Sequence, residues 1–236
     1  MTRGTDTPGG TRAGRVLREN SLSLAFGVLF LAVLAGQALV GAAQRDADQV
    51  AAGLEPLGVA GYVTSSVFWV DVTENWQSEF LQFLRFIGLT VWFVQRGSPE
   101  SKKVGEAGRE TDEQQHVGTH ARPDSPTWAR AGGWRLRVYS HSLTLVMGAI
   151  FLGSWLAQSA AGVVAYNEEQ LREFHDPVTW TAYLGLPDFW DRTLQNWQSE
   201  LLAVLCMVVF AIYLRERGSP ESKPVGTPHE ATAVEG

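Results

Sequence analysis

Two long uncharged apolar runs divide this chain. Each is followed, after a polar loop, by a shorter apolar run that opens on the same five residues. Residues 21–43 (SLSLAFGVLFLAVLAGQALVGAA) and 142–166 (SLTLVMGAIFLGSWLAQSAAGVVAY) carry no charge. Each exceeds the roughly 20 residues that take a helix across a bilayer core of about 30 Å. The later runs, Phe80 to Val94 and Leu201 to Leu214, are shorter, and Arg85 interrupts the first of them. Extended outward to Trp76 and Trp197, each reaches about the spanning length. The pattern predicts an all-α membrane protein with four transmembrane helices, at about 16–43, 75–95, 136–166 and 196–215.

The same five residues are NWQSE, at Asn75 to Glu79 and again at Asn196 to Glu200, 121 residues further on. Other identities keep that offset: Ser21 and Ser142, Gly27 and Gly148, Gln37 and Gln158, Tyr62 and Tyr183, Phe68-Trp69 and Phe189-Trp190. The stop after each pair of helices repeats as well, as RGSPESK from Arg96 and from Arg217. A duplicated two-helix hairpin accounts for this. Each unit crosses an even number of times, so the two are parallel repeats about an axis along the membrane normal. The expected organisation is a disordered arm at 1–14, a first repeat at 15–97, a polar cytoplasmic linker at 98–134, a second repeat at 135–218 and a disordered tail at 219–236. Between the helices of each repeat lies an aromatic stretch, Tyr62 to Val72 in the first. It suits either a short segment in the outer interface or a loop packed over the bundle.

The order of an outward helix, YNEEQ (Tyr166 to Gln170), FW, NWQSE and a Gly-Ser stop resembles a family of small bacterial membrane proteins known only as a domain of unknown function. The likeness covers nearly all of the chain outside its tails. It departs at Gln44 to Asp48 (QRDAD), which stands where the first half would carry YNEEQ. The resemblance implies a membrane location and a four-helix plan. It supplies no reaction, ligand or catalytic residue.

Charge changes the picture by giving it a direction. The net charge of −6 is sorted by compartment. Fifteen of the 19 Lys and Arg fall in the terminal arms and the middle linker, three in the two long loops, and Arg85 lies within a helix. By the positive-inside rule both termini and the linker face the cytoplasm of a multi-pass plasma-membrane protein. The first apolar run, longer than a signal-peptide core, is read as retained. The one cysteine, Cys206, falls within the last helix and reads as a small packing residue. No metal cluster, nucleophile elbow, P-loop or HExxH pattern is present. Mixed linker charges give nucleic-acid binding no support. The chain reads as neither an enzyme nor a cofactor carrier, with the bilayer as its partner, alone, as a homo-oligomer or beside a membrane protein.

On a helix of 100° per residue, Asn75, Ser78, Glu79, Gln82 and Arg85 share one face; Gln77 does not. The second copy keeps Asn196, Ser199 and Glu200 but has Ala203 and Cys206 at the deeper positions. Two readings follow. In the first, Glu79, Glu200, Gln37 and Gln158 line an outward polar vestibule with Arg85 beneath it, serving a small solute, ion or proton carrier or channel. In the second, Asn75 and Asn196 cap helices whose first turns favour Glu79 and Glu200. Trp76 and Trp197 then anchor the interface, and the role is structural or accessory. The second reading is preferred, because four helices leave little interior volume for a pore. The GSPESK copies read as helix stops at a charged membrane surface rather than as phosphorylation or partner motifs.

Overall fold

The computed structural model describes residues 12–234, and among them it contains nine α-helices and no strand. They are α1 (Arg12–Glu19), α2 (Ser21–Ala51), α3 (Gly58–Val63), α4 (Ser66–Trp92), α5 (Thr127–Arg130), α6 (Gly133–Ser140), α7 (Ser142–Arg172), α8 (Trp180–Tyr183) and α9 (Pro187–Tyr213). Three are long and apolar enough to cross a membrane: α2, α7 and α9. The fourth expected span, α4, has 27 residues but is not among them. Asp71, Glu74, Glu79 and Arg85, with Gln77 and Gln82, keep its mean hydropathy low.

Helices of the second and fourth expected spans begin nine residues earlier than NWQSE. α4 starts at Ser66 because the Ser65 hydroxyl accepts the Phe68 N–H at 3.3 Å, which caps the first turn. α9 starts at Pro187, whose fixed φ and missing N–H suit a first helical position, with Asp188 following in the same turn. The aromatic pairs Phe68-Trp69 and Phe189-Trp190, expected in interfacial segments or loops, are therefore the opening turns of long helices. The expected first and third helices are each broken once, at Asn20 and at His141, with nearly the same backbone angles.

The chain divides into two units after Phe68. In the first, Asp46 Oδ1 accepts from the N–H groups of Leu57 and Gly58 at 2.7 and 3.0 Å, tying the loop after α2 back to the helix. Tyr62 lies against Gly41, where an added Cβ would strike the phenol oxygen. In the second unit, Asn167 and Val178 exchange two hydrogen bonds at 2.8 and 2.9 Å. Tyr183 lies against Gly162, whose added Cβ would come within 2.6 Å of the phenol oxygen. Asp46 and Asn167, Gly41 and Gly162, Tyr62 and Tyr183 each differ by the 121-residue step. Tyr62 and Tyr183 also meet Phe68 and Phe189 edge-on at 5.4 and 5.7 Å.

The expected disordered arm falls largely outside the described residues, and Arg12 to Gly14 of it belong to α1. The expected disordered tail is ordered as far as Val234, and the linker carries α5 and a single turn of 3-10 helix, Gly118–His120. The tail is held by Lys223, a fully buried residue. Its Nζ sits 2.6 to 3.4 Å from the carbonyl oxygens of Gly97, His229, Ala231 and Pro228. Gly97 has φ +86°, and a Cβ there would run into the His229 carbonyl, so this junction needs glycine twice over.

Candidate functional site

The polar residues of the second unit gather along the seam between α4 and α9. At its start, Arg192 of α9 reaches Glu74 of α4 at 3.3 Å and Asp188, one turn back, at 3.5 Å. Asp188 also accepts the Tyr183 hydroxyl at 2.9 Å. Burial, and then that carboxylate, push the Tyr183 phenol well above its ordinary 10.0. One turn further, the Trp197 indole N–H donates to Gln77 Oε1 at 2.7 Å. The Trp197 ring is packed on the α7 side by Phe151 and Trp155, with centroids at 6.4 and 6.0 Å. Trp155 in turn donates to Thr193 at 3.3 Å. The Arg85 guanidinium lies over the Trp197 ring, 4.9 Å from its centroid, a cation–π distance.

The NWQSE residues take parts different from those expected. Asn75 and Asn196 lie inside their helices and cap nothing. Their side chains donate back to the carbonyls of Asp71 and Arg192, four residues earlier, at 2.8 and 3.1 Å. This follows from the earlier helix starts, which remove the free N–H groups a cap would satisfy. Ser78 and Ser199 likewise turn back on their own helices, to the carbonyls of Asn75 and Asn196. Trp197 faces the interior and Trp76 is partly exposed, so the two tryptophans are not equivalent anchors. Glu79 is exposed and Glu200 is half-buried, with Glu79 acting on it as a like charge.

Gln82 and Arg85 line a groove of about 320 Å³ between α4 and α9. Glu79 and Glu200 do not line it, so it is not the vestibule of the transport reading. Gln158 is buried on α7, with neither its oxygen nor its nitrogen hydrogen-bonded. Gln37 is half-buried on α2 in the first unit. Gln77, the polar residue off the stripe, is fully buried and holds Trp197, while its own nitrogen lacks an acceptor. A second groove is lined by Gln82, Phe83, Phe86, Glu100, Ala203, Val204, Met207 and Glu221. These are four pairs, each 121 residues apart.

Sequence reasoning missed Glu74, Arg192, Trp155, Gln77 and Lys223. Glu74 and Arg192 fall among the loop charges when the helices are taken to begin at NWQSE, whereas α4 and α9 begin at Ser66 and Pro187. Their four- and seven-residue spacing to Ser78 and Ser199 was the available signal. The serines of the stop motif are structural. Ser101 accepts the Gln95 N–H at 2.7 Å and Ser222 the Glu216 N–H at 2.9 Å, and both serines are buried. That geometry speaks against their use as modification sites. Among the described residues no three His, Cys, Asp or Glu side chains converge as a metal site requires.

A family model described as a domain of unknown function (DUF6766) matches residues 13–234. The comparison with curated proteins and the comparison with solved structures each gave no match.

Proposed function

The chain belongs to the family of that domain of unknown function, DUF6766, and on that premise we propose that it is an integral membrane protein with a structural or accessory, non-catalytic role. It consists of two parallel two-helix repeats, crosses the plasma membrane four times with both termini cytoplasmic, and works as a homo-oligomer or beside a membrane partner. One observation carries the reading: the ion-paired and tryptophan residues of the seam bond to one another. Arg192 is spent on Glu74 and Asp188, Trp197 on Gln77, Trp155 on Thr193. Polar groups at membrane depth that pair internally hold helices together, whereas a permeation path leaves them facing water. The matched helix bounds of α2 with α7 and of α4 with α9, each 121 residues apart, support the tandem repeat.

Proteoliposomes test the role. Ion, proton and small-solute flux through vesicles bearing the wild-type chain is expected to equal that of protein-free vesicles. Flux that requires the protein, and that is lost in Glu79→Gln/Glu200→Gln, would establish the carrier reading instead.

A further inference from the structure

Arg85 is the charged residue of α4 that the ion pairs of the seam do not absorb. Its guanidinium offers the π face to Trp197, which leaves the five N–H donors at its edge uncommitted. Among the described residues none of them makes a hydrogen bond or an ion pair with the protein. The groove beside it is largely apolar, with Phe86 and Leu89 on α4, Phe93 just past its end, and Leu201, Leu205 and Val208 on α9. At its far end stands Glu100. The second repeat has Cys206 and Ala203 where the first has Arg85 and Gln82. The equivalent positions on α9 hold small side chains, so the repeat does not itself call for these donors.

We propose that this groove binds a single-chain amphiphile with a carboxylate head, a fatty acid, and that Arg85 holds the head. A carboxylate presents two oxygens to the planar guanidinium fork and pairs with it bidentately. At membrane depth that pairing satisfies donors that would otherwise face hydrocarbon. The acyl chain lies along the leucine and phenylalanine walls, removed from competing polar contacts. The inference rests on the proposed membrane location of the chain.

The test uses the full chain in lipid nanodiscs with carboxyl-labelled hexadecanoate. Saturable binding above that of empty nanodiscs is expected. It should weaken at least tenfold in Arg85→Leu, less in Arg85→Lys, and also in Leu205→Trp, which fills the groove and leaves Arg85 in place. Hexadecanol should compete poorly. Absence of saturable binding would overturn the proposal. So would equal competition by hexadecanol, or unchanged affinity in both folded Arg85→Leu and folded Leu205→Trp protein. Labelling of a cysteine at Asp112 from each side of the membrane separates this from the four-span reading. Binding with Asp112 on the outer side would leave the site standing and sink the topology. Loss of binding with Asp112 inside would sink only the site.

Discussion

Single side chains in this protein are set by what sits beside them more than by their place in a motif. NWQSE occurs twice, yet Trp197 donates to Gln77 while Trp76 remains partly exposed. The buried carboxamides show the cost of such asymmetry. Gln158 keeps an unpaired oxygen and nitrogen inside the protein, and an unsatisfied buried polar group costs roughly 1–3 kcal/mol. Tyr183 gives the residue scale its pH test. The folded protein keeps the phenol proton at pH values where the unfolded chain gives it up, because burial and Asp188 raise its pKa above 10.0. Stability contributed by Tyr183 is thus intact below about pH 10 and is lost as pH rises beyond it, by up to about 1.4 kcal/mol per pH unit. Urea unfolding in nanodiscs between pH 8 and 11 should show this fall in the wild type and a shallower one in Tyr183→Phe. Equal slopes would mean that the phenol does not carry the alkaline limit.

At the scale of elements, the stop after each hairpin turns out to be a folded joint. Ser98, Ser101 and Ser222 are buried, Gly97 takes a left-handed backbone, and Lys223 is enclosed by four carbonyl oxygens. Lys102, the first repeat's lysine, is enclosed less fully, by the Gly108 carbonyl at 2.6 Å and the Glu110 carboxylate. Replacing Lys223 by Met leaves those carbonyls without their donor. A hydrogen bond to a charged group contributes roughly 1.5–3 kcal/mol, so residues 224–234 should detach. Amide exchange of the tail, and its cleavage by Glu-C after Glu230, should rise at least tenfold while α7 remains protected. Unchanged tail protection in Lys223→Met would show that the cage is not what holds it. Much of the element plan was legible beforehand, since uncharged runs longer than 20 residues and a strict repeat leave few alternatives. The helix starts were not, because an Asn followed by Glu four residues on imitates a cap, and Ser65 and Pro187 were passed over. Nor was the Lys223 cage, whose partners include a carbonyl 126 residues away, a group that every residue possesses and no motif marks. Glu74 with Arg192 was hidden by the same misplaced helix starts, whereas Arg85 stood out as a charge within an apolar run.

For the whole molecule the open matter is whether α4 crosses the membrane, since its composition alone does not mark it as a span. Its neighbours supply the argument. Near its start, Glu74 bonds Arg192 near the start of α9. Just past its end, Gly97 lies against Ile212 in the last turn of α9, and Gly97 and Ser98 bond Lys223, Thr232 and Ala233 of the tail that follows α9. The two helices therefore begin together and finish together, and at 1.5 Å per residue each is about 40 Å long, enough for a bilayer core of about 30 Å. Suppose instead that α2 crossed outward and α4 stayed on the outer face. Then α7 would cross inward, α9 would begin on the inner face, and Glu74 and Arg192 would be separated by the bilayer. Their 3.3 Å bond speaks against that arrangement and supports the four crossings proposed above. The four crossings we propose would put the loops at Glu55 and Asp176 on one side, and the linker at Asp112 and the tail at Glu230 on the other. In a Cys206→Ser background, single cysteines at Glu55 and Asp176 should react with an impermeant maleimide added to intact cells. Those at Asp112 and Glu230 should react only after the membrane is opened. Labelling of Asp112 together with Glu55 in intact cells would leave α4 outside the membrane, and the seam would then need another explanation.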